Sequence, residues 1–196
     1  MSELTSRQKQ AIQTRNKIFR CAMNLFAEHS YEKVTVKDIC KAAEISIGGF
    51  YHYFASKMDI INDGYRLFDE NVKEDLTSKQ FDSSLDKIIF LIEEQCQSAT
   101  DVGVSAFAQL YRSQMTSEEK YIVNTERYFY HEMKKSVLSA LEEGILSGDK
   151  DEITEEILST ARGLIYDWIL HEGSYDLTKR SLKMTNIVLS YYKTEK

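Results

Sequence analysis

Hydrophobic residues recur every three or four positions along most of this chain, the spacing that places them on one face of an α-helix. A clear example is the stripe Ile18, Ala22, Leu25 and Phe26 near the amino terminus. Short polar stretches interrupt the pattern and separate the predicted helices. About nine helices are predicted, over approximately 6–29, 36–43, 47–54, 57–76, 84–99, 102–113, 117–146, 152–171 and 178–193.

Composition also indicates an all-α fold. The 196 residues include no proline and only eight glycines, the two residue types that most disfavour a helix interior. The longest apolar run, 88–92, is far too short to cross a lipid bilayer. The polar segment 2–10 is not followed by the hydrophobic stretch of a signal peptide. We therefore expect a cytoplasmic protein without a membrane partner.

Charge is distributed unevenly along the chain. Residues 1–60 carry nine Lys and Arg against six Asp and Glu, whereas the rest of the chain carries sixteen against twenty-five. A basic amino-terminal head on an acidic body suits anion binding, although solvated surface charge gives the same bias. Because no low-complexity linker interrupts the chain, we expect two directly joined domains, a head over 1–55 and a helical body over 56–196.

The segment 35–54 has the pattern of a helix-turn-helix. Its two brief predicted helices are separated by three residues, and Thr35 with Asp38 forms a capping-box-like start for the first of them. In this motif the second helix lies in the major groove of DNA. The apolar anchors would be Val36, Ile39, Ala43, Ile45, Phe50 and Phe54, with Lys37, Lys41, Ile47, Gly49, Tyr51 and His52 facing outward. Short helix pairs also occur in bundles that never contact nucleic acid.

Residues 14–59 carry a distinctive series of short motifs. They are Leu25-Phe26-Ala27-Glu28, Tyr31, Thr35-Val36-Lys37-Asp38-Ile39, Ala43-Glu44-Ile45-Ser46 and Gly48-Gly49-Phe50-Tyr51-His52-Tyr53-Phe54-Ala55-Ser56-Lys57. This series, about a quarter of the chain, closely resembles the tetracycline-repressor (TetR) family of bacterial regulators. The resemblance implies a dimeric, all-helical protein in which a DNA-binding head is joined to a divergent body that binds a ligand and a second subunit.

By position, the resemblance implies DNA contacts on three of the predicted helices. Thr35 and Lys57 match residues that bind phosphates at helix starts. Tyr51 and His52 match a pair that contacts the DNA backbone, and 47–49 lies where the family reads base edges. The full set of predicted DNA-binding residues is Thr35, Lys37, Ser46, Ile47, Gly48, Gly49, Tyr51, His52 and Lys57.

Three positions depart from the family pattern. Ile47 and Gly49 stand where a lysine and a threonine are common, which removes one ionic and one hydroxyl interaction with DNA. Ile47 can instead pack on a thymine methyl, and paired glycines let the backbone approach DNA closely. Each glycine lowers helix propensity by about 1 kcal/mol, so this helix should be loose until bound. Glu44 replaces a common turn glycine, and a positive φ there would strain it by roughly 1 kcal/mol.

The last two predicted helices show apolar residues on more than one side. Such helices must bury two faces, one in the subunit's own core and one against a two-fold mate, although deep burial in a monomer gives the same pattern. With the family resemblance, the pattern predicts a homodimer. The predicted interface residues are Ile157, Ala161, Leu164, Met184, Val188 and Tyr191.

Large side chains concentrate in the middle and later helices. They could enclose an apolar pocket for a small-molecule effector, although each also fits a plain core. The candidate ligand-binding residues are Phe107, Tyr111, Tyr128, Phe129, Met133, Tyr166 and Trp168. Arg112, Arg127 and Arg162 could meet an acidic ligand or pair with surface carboxylates.

Signatures of enzymes and metal sites are missing from the sequence. No histidine has a glutamate three residues before it, so the helical di-iron pattern is absent. Lys135 stands where a zinc-protease helix would need a second histidine after His131. The cysteines form no C-x-x-C pair, which argues against a disulfide framework or a zinc site. We expect no catalytic residue, metal or cofactor.

These observations predict a transcription regulator, most simply a repressor, that binds near-palindromic double-stranded DNA as a homodimer. Its half-sites should lie roughly 34 Å apart or a small multiple of that distance. A small molecule that prefers wrongly spaced heads would release the DNA, and one that prefers the other state would make an activator. The rival hypothesis is a helical module that binds a small molecule or a protein and no DNA, to which the changes at Ile47 and Gly49 lend weight.

Overall fold

The computed structural model describes residues 5–118 and 120–194, and the regular elements there are nine α-helices and one 3₁₀ turn. They are α1 (Ser6–His29), α2 (Val36–Ala43), α3 (Ile47–Tyr53), α4 (Lys57–Ser78), α5 (Ser84–Val102), α6 (Val104–Thr116), the 3₁₀ turn (Tyr121–Val123), α7 (Tyr128–Glu142), α8 (Lys150–Leu170) and α9 (Leu177–Tyr192). The predicted all-α class is confirmed. Within the described residues, every helix is too short or too polar to span a lipid bilayer.

Side chains that accept a free backbone N–H determine where most helices begin. Thr35 Oγ1 accepts from Asp38 N at 3.2 Å, and the Asp38 carboxylate accepts from Thr35 N at 2.8 Å. This is the capping box predicted for α2. The other capping side chains are Thr5, Ser46, Ser56, Ser83, Asp149 and Asp176. Because such caps are local, the starts of most helices lie close to the predicted positions.

The helix predicted over 117–146 is wrong in its first third, since α7 begins eleven residues later. Lys120 Nζ donates to the carbonyl oxygen of Gln114 at 3.1 Å, and the Gln114 side chain accepts from the backbone N–H of Ile122 at 3.1 Å. These bonds close the end of α6 and hold the segment that follows it. Glu119 lies outside the described residues. The segment holds no proline or glycine that would signal the interruption.

The boundary between α5 and α6 lies at Gly103 and not at 100–101 as predicted. Gly103 has a φ of 84°, which glycine adopts without steric cost and which ends a helix. The predicted end of α5 was therefore too early, and this helix continues to Val102.

Two clusters of buried side chains organise the fold. The first joins α1, α2 and α3, here called the head, through Phe26, Ile39 and Phe50, each at most 1% exposed. It also includes Ile61 of α4 and Leu110 of α6. The second cluster joins α4, α5, α7, α8 and α9, which with α6 form the body. Because α4 and α6 pack on the head as well as on the body, they connect the two.

Candidate DNA-binding surface and effector cavity

The third helix has a buried side and an exposed side. Phe50 is fully buried, and Phe54 just after the helix is 2% exposed. Among the predicted anchors, Ile39, Ala43, Phe50 and Phe54 are buried, while Val36 and Ile45 are half-buried. The exposed residues are Ile47, Gly48, Tyr51 and His52. Residues four apart are neighbours on a helix, so the structure brings these four predicted DNA-contacting residues onto one solvent-facing surface.

Three other predicted DNA-binding residues lie at the starts of α2 and α3. Thr35 caps α2 and donates from Oγ1 to Asp38 Oδ2 at 2.6 Å, while Lys37 is exposed in the first turn. Ser46 caps α3 by accepting from the backbone N–H of Gly49 at 3.0 Å. All three side chains are exposed, so they remain accessible to a DNA backbone beside α3.

Lys57 is turned into the head. Its Nζ donates to the carbonyl oxygens of Tyr31 at 2.7 Å and Val34 at 2.6 Å, and lies 4.3 Å from the centre of the Tyr31 ring. Burial lowers the pKa of Lys57, although nearby Glu32 opposes this shift. An ammonium group has three donors, so one remains for a phosphate. In the free protein Lys57 holds the loop between α1 and α2, and its phosphate-binding role stays a prediction.

Glu44 makes the turn between α2 and α3 with a φ of 54° and a ψ of 46°. The positive φ considered from sequence is confirmed, with a strain of roughly 1 kcal/mol for a residue other than glycine. The Glu44 carboxylate accepts from Lys17 Nζ at 2.9 Å. Both side chains are largely exposed, so this ion pair adds little stability.

We expect Glu44→Gly to raise the free energy of unfolding by roughly 0.5–1 kcal/mol, because glycine adopts this conformation without strain. The matched control is Glu44→Gln, which loses the ion pair with Lys17 and retains the strain. It should stay within about 0.5 kcal/mol of the parent protein in urea unfolding. Equal stability of the two variants would contradict the strain assignment.

A partly buried ion cluster fastens α1 to its surroundings. Arg15 donates from Nε and Nη2 to Asp63 of α4, at 3.0 and 3.1 Å, and from Nη1 to the carbonyl oxygen of Tyr53 at 2.9 Å. Arg66 also donates to the Asp63 carboxylate. Burial by itself would raise the pKa of Asp63, but the bonds from Arg66 and Arg15 outweigh it and lower that pKa. The cluster therefore holds α1, the end of α3 and α4 in one arrangement.

A second set of polar bonds joins the head to α6. Gln109 Nε2 donates to Glu32 Oε1 at 2.6 Å, and Ser105 Oγ donates to Glu32 Oε2 at 3.1 Å. The backbone N–H of Tyr31 donates to Ser105 Oγ at 2.9 Å. The loop between α1 and α2 is thus hydrogen-bonded to the first two turns of α6. A displacement of α6 would therefore also displace this loop of the head.

A cavity of 490 Å³ lies between α1, α4, α5 and α6, and its lining is completed by the segment that precedes α7, by Phe129 of α7 and by Ile165 of α8. Its volume suits a drug-sized molecule. Of the predicted ligand-binding residues, Phe107, Tyr111 and Phe129 line it. The sequence analysis missed the walls supplied by α1 and α4, which include Phe19, Met23, Ile61, Gly64, Tyr65 and Phe68. Their helical spacing is the same whether the inner face meets a core or a cavity, so no sequence signal marks them.

The other four predicted ligand-binding residues do not line this cavity. Met133 is fully buried in the core of the body. Trp168 Nε1 donates to the carbonyl oxygen of Tyr175 at 3.1 Å, which fixes the indole in the same core. Tyr166 is 42% exposed on α8, and Tyr128 is half-buried against the outside of that core. Neither tyrosine lines the cavity, to which α7 contributes Phe129 and α8 contributes Ile165.

Tyr65 and Gln95 line the cavity, and two of their atoms, Tyr65 OH and Gln95 Oε1, are buried without a hydrogen-bond partner among the described residues. Burial raises the pKa of Tyr65, against the effect of nearby Arg127, so the phenol is neutral. Arg127 also lines the cavity, but Asp69 accepts two bonds from its guanidinium, at 2.7 and 3.1 Å. A buried polar atom without a partner destabilises the protein by roughly 1–3 kcal/mol, so a ligand that satisfies these atoms would be favoured.

α8 and α9 cover the core of the body with one face and expose another. Ile157 and Ala161, predicted at a subunit interface, are fully buried inside the chain's own core and leave no exposed surface for a partner. Of the other predicted interface residues, Leu164, Met184 and Val188 are half-buried, and Tyr191 is 82% exposed. The exposed apolar residues that the sequence analysis missed are Tyr166, Leu170 and Ile187.

Gly163 lies inside α8 on this exposed face. A Cβ added there would meet no atom of the described residues within 4 Å, so packing inside the subunit does not require a glycine. A glycine in a helix interior lowers stability by about 1 kcal/mol relative to alanine. Close approach of a second helix from outside the subunit would explain its presence.

Comparison with known proteins extends the similarity beyond the motifs. A family model described as bacterial regulatory proteins, tetR family, matches residues 18–63. The chain is 23% identical to the probable acrEF/envCD operon repressor of Escherichia coli strain K12 over an alignment of 199 residues, gaps included, that covers 93% of this chain and 88% of the relative.

Two solved structures have a similar fold. A TetR transcription regulator from Haloarcula marismortui ATCC 43049 has a TM-score of 0.75 at 14% identity, with 93% of this chain and 100% of that chain covered. Thermus thermophilus FadR, a TetR-family transcriptional repressor in complex with lauroyl-CoA, has a TM-score of 0.62 at 19% identity, with 90% and 93% covered. The shared fold therefore includes the body as well as the head.

Proposed function

We propose that the chain is a member of the tetracycline-repressor family of bacterial transcriptional regulators and acts as an operator-binding repressor released by a small-molecule effector. It acts in the cytoplasm as a homodimer, with a DNA-binding domain over 1–55 and an effector-binding and dimerisation domain over 56–196. Residues 1–4, 119 and 195–196 of these ranges lie outside the described residues. Members of the family are regulators and not enzymes.

The exposed face of α3 is the main observation that supports this proposal. Ile47, Gly48, Tyr51 and His52 lie together on a helix that is capped at its start and held from behind by Phe50. A short, braced helix with a mixed apolar and polar outer face suits a major groove, in which Ile47 can contact a thymine methyl. Thr35, Lys37 and Ser46 beside it would contact the DNA backbone.

Dimerisation is assigned to the outer faces of α8 and α9. Two copies of this helix pair would form a four-helix interface, and each α8 could approach closely at Gly163. Tyr166, Leu170, Ile187 and Tyr191 would be covered by the partner in place of water. The interface would hold two heads at one fixed distance, as binding to a near-palindromic operator requires.

The cavity is well placed to act on the heads. α1 supplies one wall and belongs to the head, while α4 and α6 supply others and are bonded to the head at Asp63 and Gln109. A ligand that fits best when these helices are displaced would shift the population toward heads with the wrong spacing. Release of DNA would follow without contact between ligand and DNA.

A similar protein binds lauroyl-CoA, which makes an acyl chain one candidate for the apolar part of this cavity. The phosphates of CoA would then lie at a rim that carries four carboxylates. These residues are Glu74, Asp75, Glu94 and Asp101. Like charges in such proximity repel one another, so the acyl-CoA assignment is not carried over to this chain.

The proposal is tested by selecting bound fragments from the source genome with the purified protein and titrating the binding with salt. A DNA-binding dimer should select near-palindromic sequences, and its affinity should fall steeply as salt rises because several phosphates are neutralised. Failure to retain any DNA at low salt would favour the alternative of a binding module that does not engage DNA.

Two substitutions separate sequence recognition from backbone binding. Ile47→Ala should change the preference among operator variants by about 1 kcal/mol at one base pair in each half-site. Lys37→Ala should weaken binding to all DNA sequences alike. It should also reduce the slope of log affinity against log salt concentration by about 1 for each phosphate that the lysine no longer neutralises. The measurement is a mobility-shift titration at several salt concentrations. Lys135→Ala, an exposed lysine on α7, is the control and should change neither quantity.

A further inference from the structure

The rim of the cavity carries an excess of negative charge. Glu74 and Asp75 of α4 and Glu94 and Asp101 of α5 all line it. The cations of the lining are Arg20 and Arg127, and the guanidinium of Arg127 is already bound by Asp69 at 2.7 Å. Carboxylates therefore outnumber the positive charges available to them.

The carboxylates at this rim lie close enough to influence one another. Lys79 Nζ is 4.0 Å from Glu94 Oε1, and the same ammonium lies 3.7 Å from the centre of the Phe90 ring, so it pairs only loosely with Glu94. Burial raises the pKa of Glu94, and Asp75 adds to this increase more than Lys79 offsets it. A further positive charge at the rim would relieve this repulsion.

Behind the rim, the cavity is walled by aromatic rings. Phe19 of α1, Phe68 of α4, Phe107 of α6 and Phe129 of α7 contribute to the lining. The faces of such rings attract cations and also provide a large apolar area. This part of the cavity suits the apolar body of a ligand, and it extends the attraction for positive charge inward from the rim.

The buried atoms without hydrogen-bond partners add a second requirement. Tyr65 OH can donate or accept, whereas Gln95 Oε1 can only accept. Neither atom carries a charge that would attract an anionic headgroup. Both atoms are buried, so their side chains must turn toward the cavity to meet a ligand. A neutral or cationic N–H or O–H group would then satisfy them, whereas a carboxylate or sulfate would not satisfy Gln95 Oε1.

We propose that the effector is an amphiphilic cation, whose apolar body fills the cavity while its positive charge lies at the rim formed by Glu74, Asp75, Glu94 and Asp101. This assignment rests on the proposed function in that it takes the cavity as the effector site. It places cationic lipophilic compounds that carry N–H groups, such as long-chain amines and amidines, above fatty acids and other anionic lipids as ligands.

The test compares two probes with chains of twelve carbons and opposite charge, dodecylammonium and laurate. Their binding to the full-length protein is measured by isothermal titration calorimetry without DNA and below their micelle concentrations. We expect the cation to bind at least about tenfold more tightly than the anion. Equal affinity, tighter binding of laurate, or no binding of the cation would overturn the proposal.

Substitutions at the rim test whether its carboxylates cause the preference for the cation. The double variant Asp75→Asn/Glu94→Gln should weaken binding of the cation by about tenfold, and it should leave binding of laurate unchanged or make it tighter. Glu142→Gln, an exposed carboxylate on α7 away from the cavity, is the matched control and should change neither affinity. Loss of cation binding to the same extent in the control, or no loss in the double variant, would show that the rim does not hold the charge.

A third variant tests whether the probe occupies the cavity. Gly64 lines it beside Phe19, and Gly64→Leu would place a side chain in the space available to a ligand. We expect this variant to lose cation binding while its helical circular dichroism is retained, and unchanged binding would place the probe elsewhere.

Operator binding is measured separately by mobility shift. Cation binding by a protein that binds no DNA would refute the proposed function alone, whereas operator release by laurate and not by the cation would refute this inference alone.

Discussion

Replacing Ile187 by glutamate should convert the protein to a monomer and weaken operator binding by about 100-fold or more. Ile187 is 51% exposed on α9, so the chain itself should fold normally. In a two-fold interface, a charge on one subunit is buried against the partner and faces its own copy, and both effects are unfavourable. A monomer also loses the high effective concentration of the second head, which accounts for the expected factor.

Sedimentation equilibrium and mobility shift together check this result. Leu138→Glu is the matched control, because Leu138 is an apolar residue of similar exposure, 41%, on α7, outside the assigned interface. The control should remain dimeric with normal affinity. Gly163→Gln provides a second variant, since nothing within its own subunit obstructs the new side chain. If both Ile187→Glu and Gly163→Gln remain dimeric, α8 and α9 do not form the interface.

Replacing Arg15 by methionine should lower the free energy of unfolding by about 2 kcal/mol. The substitution removes two bonds to Asp63, whose side chain is only 7% exposed, and leaves the carbonyl oxygen of Tyr53 without this donor. It also removes the guanidinium that lies 4.4 Å from the centre of the Phe54 ring. Methionine retains much of the apolar volume of the Arg15 side chain, so the decrease in stability measures mainly the loss of the polar bonds.

The same substitution should change how stability depends on pH. The pKa of Asp63 is lowered in the folded state, so the unfolded chain binds more protons in this range and stability rises with pH. This contribution is fully present above the ordinary carboxyl pKa of about 3.9 and is lost as the pH falls through the lower folded value. In Arg15→Met the shift is smaller, so the difference between the two proteins should shrink as the pH falls below about 4.

Urea unfolding at neutral pH and between pH 5 and pH 3 measures both effects. Lys17→Met on the same helix is the control, because it breaks an ion pair with Glu44 in which both side chains are largely exposed. It should cost less than about 1 kcal/mol at any of these pH values. A destabilisation in Arg15→Met that is as small as in the control, or that does not vary with pH, would contradict the role assigned to the cluster.

The head could be predicted closely because its determinants are local. The capping boxes and the apolar spacing lie within single helices, and α1, α2 and the start of α3 agree with the predicted bounds. The left-handed turn at Glu44 was also open to prediction, since the family pattern places a glycine there. Lys57 could not be assigned in the same way, because the two carbonyl groups that hold it lie more than twenty residues earlier in the chain.

The body was predicted less well because its features depend on packing between distant segments. The interruption of the helix over 117–127 has no breaker residue and comes from bonds made by Lys120 and Gln114. Both stripes of α8 are apolar, so periodicity did not distinguish Ile157, which faces the chain's own core, from an interface residue. The relative exposure of the two faces is set only when α5, α7 and α9 are packed against the helix.

The sequence by itself determined that the chain is all-helical and where most helices begin, since both follow from spacing and capping within a few turns. Its motifs over 14–59 carried the resemblance of the head to one family. Only the tertiary structure decided which side of α8 is exposed, that Lys57 points inward, and that a cavity with an acidic rim lies between head and body. The cavity is built from α1, α4, α5 and α6, which are brought together by folding. Spacing along one helix specifies an apolar face but not the element that covers it.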